Sequence, residues 1–165
     1  MPYNLFRPLS HGTVRLASSD PLQAPLIDPA YLSNRQDLAA IVQGISIGMK
    51  IAESPYMAPY LRYSALPIPG CSFCADNRPL STCLSYLACV VQTDTYTTFH
   101  PVGGCAMGND SSRAVVDGRL RVFGTRRLRV IDASVMPVIP NANTNAPTMA
   151  IAERGVQLVR DDWRI

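Results

Sequence analysis

His100 is the residue of this chain best suited by type to move a proton. It is one of two histidines in the sequence and lies in the stretch TYTTFHPVGGCAMG at residues 95–108, where a run of Thr, Tyr and Phe meets a Pro-Val-Gly-Gly turn. A neutral imidazole, with an unperturbed pKa near ~6.5, accepts a proton at physiological pH. Pro101 and the flexible pair Gly103-Gly104 allow a sharp turn that would present the ring at a cleft. Catalysis, metal binding and burial in a core are the three roles open to such a histidine.

Five cysteines offer a second kind of chemistry, and they are Cys71, Cys74, Cys83, Cys89 and Cys105. The first two form a C-x-x-C sequence. A zinc knuckle is disfavoured because the second pair is spaced C-x5-C and no histidine is near. A redox C-x-x-C would begin a helix after a strand, whereas this one follows the turn at residues 67–70. Disulfides of a secreted, loop-rich region fit slightly better than free thiols. The sequence therefore predicts no metal site, slightly favours an extracellular location, and leaves the pairing open.

The composition is that of a globular protein. The 165 residues are 47% hydrophobic and 16% charged, with a net charge of +3. The densest basic group, at residues 119–129, alternates with apolar residues as in a strand–turn–strand with one solvated face. We therefore expect no nucleic-acid partner. We also expect no transmembrane segment, because the longest apolar run, residues 83–91, is far shorter than the ~20 residues that span a bilayer.

The hydrophobic pattern predicts helices separated by short strands and loops. Apolar residues recur at helical spacing over about 35–53, again over 80–97, and after Pro147 to about residue 161. Pro147 suits a first helical turn, where its missing N–H has no intrahelical partner. Strand-like patterns occupy residues 9–16, 115–122 and 128–132. Residues 25–29 are extended by their prolines, and the proline-rich 55–82 should be loop.

Several motifs occur in an order that is typical of one enzyme family. They are HPVGGCAMG, VVDGRLRVFGTRRLRVIDASVMPVIPNANTNAPTMAIAER and, near the start, RPLSHGTVRLASSDPLQAPLIDPAYLSNRQDLAAIVQGI. Together they closely resemble the C-terminal part of the glucose–methanol–choline (GMC) oxidoreductases, which are FAD-dependent alcohol oxidases and dehydrogenases. The family's dinucleotide fingerprint, G-x-G-x-x-G, does not occur in the sequence. The chain is therefore predicted to be the C-terminal portion of a longer enzyme.

The resemblance implies a fold and a division into domains. The expected class is α+β, with an antiparallel sheet of about six strands that carries helices on one face. This sheet would form most of the substrate-binding domain, at residues 1–98. Residues 99–165 would carry the catalytic histidine motif and a last strand and helix. These two elements would complete an FAD-binding domain whose other parts are absent from the chain.

The resemblance also implies an activity and a set of site residues. His100 matches the base that takes the hydroxyl proton of a small-molecule alcohol while hydride passes to flavin N5, and oxygen or another acceptor then takes the electrons. Asn143 matches the second polar residue, which donates a hydrogen bond to the substrate oxygen as charge develops. The N-terminus of the last helix, with its unpaired N–H groups and positive dipole end, would face the flavin. The expected FAD-binding positions are Asp132, Ala133, Asn145, Ala146, Pro147 and Thr148.

Other interpretations stay open beside this one. Asp132 could simply end a strand in a turn, and Asn141, Asn143 and Asn145 could simply be loop and helix-cap residues. The chain could be a non-catalytic fragment or binding module, or part of a hydroxynitrile-lyase-type member of the family. Three positions depart from the family pattern: Gly104 stands where Thr is usual, Ala142 where Gly is usual, and His11 where Arg is more frequent.

Overall fold

The computed structural model of the chain describes residues 3–61, 67–74 and 78–164. The chain divides into two units, Met1–Tyr96 and Thr97–Ile165. Parts of the predicted loop at residues 55–82, namely 62–66 and 75–77, lie outside the described residues. The assignment of the two parts of the chain to a substrate domain and an FAD domain stays a prediction.

A two-stranded antiparallel hairpin begins the first unit. Strand β1, Thr13–Arg15, pairs with β2, Leu26–Asp28, so that Val14 lies opposite Ile27. The strand predicted at residues 9–16 is therefore shorter than expected. Residues 9 and 10 do not pair with another strand, because the backbone N–H groups of Leu9 and Ser10 donate to the carboxylate of Asp37, at 2.9 and 2.7 Å.

Helix α1, Arg35–Ala52, confirms the helix predicted from the apolar spacing. Asn34 caps its start, since the Asn34 side chain accepts a hydrogen bond of 2.9 Å from the Gln36 N–H. Asp37 lies in the first turn and is buried, with 3% of its surface exposed. The apolar face of α1, centred on Val42, packs into the core of this unit.

Helix α2, Leu84–Thr93, lies within the helix predicted at 80–97 and is shorter than it. A 3₁₀ turn at Leu80–Thr82 precedes it, and Cys83 interrupts the helical path with ψ 66°. Tyr86, Leu87 and Val91 face the core that α2 shares with α1. Two disulfides, Cys71–Cys89 and Cys74–Cys83, tie the preceding loop to this helix. They confirm the disulfide interpretation over a zinc knuckle, and Cys105 is the free thiol among the described cysteines.

Long connected loops and one helix build the second unit. Helix α3, Asn145–Trp163, confirms the last predicted helix and extends it two residues further at its C-terminal end. Leu158 of α3 is buried against Val116, Leu120 and Val135. Gly155 brings the helix close to Ile131, because an added Cβ at Gly155 would lie 2.4 Å from Ile131 Cγ2. This close approach fixes where α3 lies against the loops that precede it.

The expected antiparallel sheet of about six strands is wrong for the described residues, where the one sheet has two strands. The patterns at 115–122 and 128–132 give only isolated bridges, in which Val116 pairs with Met107 and with Val122, and Arg121 pairs with Arg129. A local cause is visible at Asp117, whose side chain accepts from the N–H groups of Arg119 and Arg121 at 2.8 and 2.9 Å. Such side-chain bonds hold the backbone in a turn and compete with a continuous ladder. The α+β class itself is retained.

Candidate active site

His100 lies on a loop of the second unit that begins with a strained residue. Phe99, immediately before it, has φ 61°, in the left-handed region that non-glycine residues rarely adopt, and its side chain is 81% exposed. The Phe99 N–H donates to Thr97 Oγ1 at 2.9 Å, which helps to hold this conformation. Backbone strain of this kind is frequent at functional sites, where the surrounding structure must maintain it.

The Gly-Gly pair after His100 has two different structural roles. Gly103 adopts φ +85°, which a residue with a side chain would adopt only under strain. Gly104 has no such constraint, and an added Cβ there would meet Ser134 Cβ at 4.0 Å, an ordinary contact. The position where the family usually has Thr is therefore open in this structure. The turn that presents His100 depends on Gly103 and not on Gly104.

The segment after the glycines is held by a 3₁₀ turn, Ala133–Val135. The Cys105 N–H donates to the Ser134 carbonyl at 3.0 Å, and the Met107 N–H donates to the Val135 carbonyl at 2.9 Å. These bonds fix the segment that follows His100 on the rest of the unit.

Asp132 begins that turn, and its side chain has identified partners. Asp132 Oδ1 accepts from the Ser134 N–H at 2.8 Å and from Ser134 Oγ at 2.5 Å. The Asp132 side chain therefore closes a turn, as the alternative to the cofactor interpretation predicted. Contacts of Asp132 and Ala133 with FAD stay predictions.

Asn143 and His100 are brought together directly. Asn143 Oδ1 lies 3.0 Å from His100 Nε2, so the imidazole N–H donates to the amide oxygen. This hydrogen bond, with a smaller contribution from the Phe99 backbone, raises the pKa of His100 above its usual value, because both interactions favour the protonated ring. His100 is partly exposed and Asn143 is exposed, so the pair is open to a ligand. A proton on Nε2 is held by the Asn143 oxygen, and the ring can act as a base through Nε2 only in the state that has lost this proton.

The remaining expected cofactor residues form the first turn of α3, and they are Asn145, Ala146, Pro147 and Thr148. Thr144 precedes them and makes no side-chain capping hydrogen bond. The N–H and the hydroxyl of Thr148 both donate to the Thr144 carbonyl, at 3.0 and 2.7 Å. The start of the helix is thus left without a side-chain cap, two residues after Asn143. Asn145 is the first helical residue, so the interpretation of Asn145 as the helix cap is wrong.

Two contributors to the site were not found from the sequence. Ser134 was missed, although the spacing Asp-x-Ser at residues 132–134 is a signal for a turn closed by side-chain hydrogen bonds. Phe99 was missed as a strained residue, because no sequence pattern distinguishes a left-handed Phe.

In the described parts of the chain, no three His, Cys, Asp or Glu side chains cluster so as to hold a metal ion. Within the same residues, no helix has the length and apolar character needed to cross a membrane.

Comparison with known proteins places the whole of this site inside one family. The family model for GMC oxidoreductase matches residues 8–152. An alcohol dehydrogenase (acceptor) from Pseudomonas putida is 38% identical over 92% of this chain and 26% of its own length. A glucose dehydrogenase (FAD, quinone) from Drosophila melanogaster is 35% identical over 96% of the chain and 25% of its own. Oxygen-dependent choline dehydrogenase 1 from Chromohalobacter salexigens is 41% identical over 93% of the chain and 26% of its own.

Solved structures agree in fold over nearly the whole chain. A formate oxidase variant from Aspergillus oryzae RIB40 superposes with a TM-score of 0.81 at 27% identity, over 96% of this chain and 26% of that chain. A fungal aryl-alcohol oxidase gives a TM-score of 0.75 at 28% identity, over 98% and 25%. The chain thus spans about a quarter of the length of the proteins it matches. It belongs to the GMC oxidoreductases, a family of FAD flavoproteins.

Proposed function

We propose that the full-length protein carrying this chain is an FAD-dependent oxidoreductase that acts on CH–OH groups. The chain would supply the catalytic base and one side of the cofactor site. The observation that carries the proposal is the contact between His100 Nε2 and Asn143 Oδ1 at 3.0 Å, two side chains drawn from distant positions to one exposed point.

His100 would remove the hydroxyl proton of the substrate. The base acts when its Nε2 carries no proton, and Nε2 is the atom that would receive the proton from the alcohol oxygen. Once protonated, the ring can donate to Asn143 Oδ1, which explains why the pKa of His100 is raised in this arrangement. A raised pKa makes the unprotonated ring of His100 a stronger proton acceptor.

Asn143 would act on the substrate oxygen. Its Oδ1 faces His100, so the amide NH₂ group at the other end of the side chain is available to donate. A hydrogen bond from this NH₂ to an oxygen that is losing its proton would stabilise the negative charge that develops there.

The residues present fit the cofactor that the family binds. FAD, when bound, supplies the two-electron acceptor chemistry that no amino-acid side chain offers. The start of α3 lacks a side-chain cap, so the N–H groups of Asn145 and Ala146 and the positive helix end would favour an electron-rich ring. Pro147 and Thr148 complete that first turn. Asp132 and Ala133 would contact the cofactor through their main-chain groups.

The substrate would be a small alcohol, in keeping with the names of the relatives. These are alcohol, glucose and choline dehydrogenases, so CH–OH oxidation is the reaction that they share by name. Oxygen or another acceptor would take the electrons from the reduced enzyme.

We also propose an oxidising, extracellular compartment, since two disulfides within one short segment persist best there. Alkylation of the protein from its native source should then modify Cys105 alone among these five cysteines, and modification of all five would contradict it.

The proposed reaction can be tested on the full-length protein. We expect it to hold FAD and to lose its flavin absorbance at about 450 nm when mixed anaerobically with members of a panel of alcohols that includes choline and glucose. Failure of every alcohol, with FAD retained, would contradict the proposed substrate class. Cleavage of a cyanohydrin without flavin bleaching would instead favour a lyase. A protein that takes up no FAD would favour the non-catalytic fragment.

A further inference from the structure

The turn at Asp132 is placed to control the distance between the two proposed catalytic side chains. On one side, the carbonyls of Ser134 and Val135 hold the segment that follows His100, through the N–H groups of Cys105 and Met107. On the other side, the chain leaves the turn at Met136 and reaches Asn143 seven residues later. The 3₁₀ turn therefore holds the segment after His100 by hydrogen bonds and leads along the chain into the segment that carries Asn143.

One carboxylate oxygen accepts both side-chain hydrogen bonds that close this turn. Asp132 Oδ1 accepts from the Ser134 N–H and from Ser134 Oγ, at 2.8 and 2.5 Å, and the Asp132 carbonyl accepts from the Val135 N–H at 3.3 Å. The same Ser134 whose N–H and hydroxyl reach Asp132 offers its carbonyl to Cys105. A change at Asp132 would therefore move the group that holds the His100 loop.

The second unit contains another turn with similar side-chain hydrogen bonds. Asp110 Oδ1 accepts from the Ser112 N–H at 2.9 Å and from Ser112 Oγ at 2.8 Å, the same pattern with the same spacing. The Asp110 carbonyl, however, accepts from the N–H groups of Arg113 and Ala114, within its own loop. The Val115 N–H that follows this turn donates to the Ala106 carbonyl at 2.9 Å, so the Asp110 turn reaches the same segment at one remove, whereas the Ser134 and Val135 carbonyls bond Cys105 and Met107 directly.

We propose that Asp132 and Ser134 are positioning residues, which set the separation of His100 and Asn143 through the 3₁₀ turn at Ala133–Val135. This role rests on the proposed function, because it has meaning only if the His100–Asn143 pair performs the reaction. The Asp132 side chain acts through its hydrogen bonds and not through its charge on the cofactor. An asparagine, which keeps Oδ1 as an acceptor and removes the charge, should therefore replace it.

The variants Asp132→Ala, Asp132→Asn, Ser134→Ala and Asp110→Ala of the full-length protein test this inference. Asp132→Ala should lower kcat by about tenfold or more, because small misplacements of reacting groups are costly in rate. Its KM and its bound FAD per protein should stay within about twofold of wild type. Asp132→Asn should restore most of kcat, and Ser134→Ala, which loses one of the two bonds to Oδ1, should fall between the two. Asp110→Ala should lower the melting temperature about as much as Asp132→Ala does while lowering kcat much less, because its turn reaches the segment after His100 only through Val115.

Three results would overturn the inference. If Asp132→Asn loses as much activity or as much FAD as Asp132→Ala, the carboxylate acts by charge or by direct contact with the cofactor. If Asp110→Ala lowers kcat as strongly as Asp132→Ala, the loss reflects stability alone. If Asp132→Ala leaves kcat unchanged, the turn does not position the pair. His100→Ala separates this inference from the proposed function: full activity in that variant ends both, whereas loss there with none in Asp132→Ala ends only the positioning role.

Discussion

His100 and Asn143 are separated by 43 positions in the sequence, yet their side chains meet at 3.0 Å between Nε2 and Oδ1. Neither residue lies in a helix or a strand. Each lies in a loop, and the turn that Asp132 begins bonds to the segment after His100 and precedes the segment with Asn143 along the chain. The pair is therefore a product of hydrogen-bonded loop geometry, and it should respond to single changes in those loops.

Removal of the Asn143 amide should change both the rate and its dependence on pH. The hydrogen bond to Asn143 raises the pKa of His100, so Asn143→Ala should lower that pKa. Because a base acts in its unprotonated form, the acidic limb of kcat/KM should move to lower pH. At the plateau the rate should fall by about 10²-fold, as when a donor to a developing oxyanion is removed. Asn141→Ala, on the same exposed loop, is the control, and an unshifted limb in Asn143→Ala would contradict the proposed pair.

The two glycines after His100 should differ in their tolerance of a side chain. Gly104→Thr introduces the residue usual in the family at a position with room for a Cβ, and its free energy of unfolding should stay within about 1 kcal/mol of wild type. Gly103→Thr forces a β-branched residue to φ +85° and should lower the free energy of unfolding by about 1–3 kcal/mol. Urea unfolding measures both changes. Equal losses of stability in the two variants would contradict the room for a side chain at Gly104.

Helical glycines at two positions should respond to alanine with opposite signs. Gly155→Ala puts a methyl group 2.4 Å from Ile131 Cγ2, and the resulting overpacking should lower the free energy of unfolding by about 1–2 kcal/mol. Gly44→Ala, in α1, meets nothing within 4 Å and should raise it by about 0.5–1 kcal/mol through helix propensity. Thermal unfolding of the two variants checks this. A stabilising Gly155→Ala would contradict the close packing of α3 on Ile131.

Asp37 should make the stability of the protein depend on acid. Burial raises the pKa of Asp37, but the hydrogen bonds from Leu9 and Ser10 outweigh it, and the pKa lies below its usual value. A group with a lowered pKa stabilises the fold above its unfolded pKa, and this contribution is lost as pH falls through the folded one. The free energy of unfolding should therefore fall below about pH 4. In Asp37→Asn this fall should be smaller, whereas in Asp20→Asn, at an exposed turn, it should match wild type. Identical acid profiles for Asp37→Asn and wild type would contradict the role of the carboxylate.

The helices could be predicted from the sequence because their signals are local. The apolar spacing over 35–53 gave α1 nearly to its ends, and the position of Pro147 gave the start of α3 within two residues. The strands could not be predicted in the same way, since a strand forms only with a partner and its backbone can be captured elsewhere. Leu9 and Ser10 illustrate this, because Asp37, far along the chain, takes the N–H groups that a longer β1 would have used.

The candidate site could be predicted residue by residue but not as a geometry. His100 and Asn143 were expected from the family motif, and their roles stay predictions, as do the contacts of the FAD-binding positions. What connects the two residues depends on main-chain groups of Ser134 and Val135, which no side-chain pattern records. Asp132 shows the same difference, since the family motif implied a cofactor contact, whereas its Oδ1 closes a turn in the structure.

The base role of His100 is tested most directly by the rate of flavin bleaching in single turnovers of the full-length protein. His100→Ala, loaded with FAD to the wild-type level, should reduce its flavin about 10²-fold or more slowly than wild type with the same alcohol. His11→Ala, which changes the other histidine of this chain, should react at the wild-type rate. Flavin reduction by His100→Ala at the wild-type rate would contradict the account.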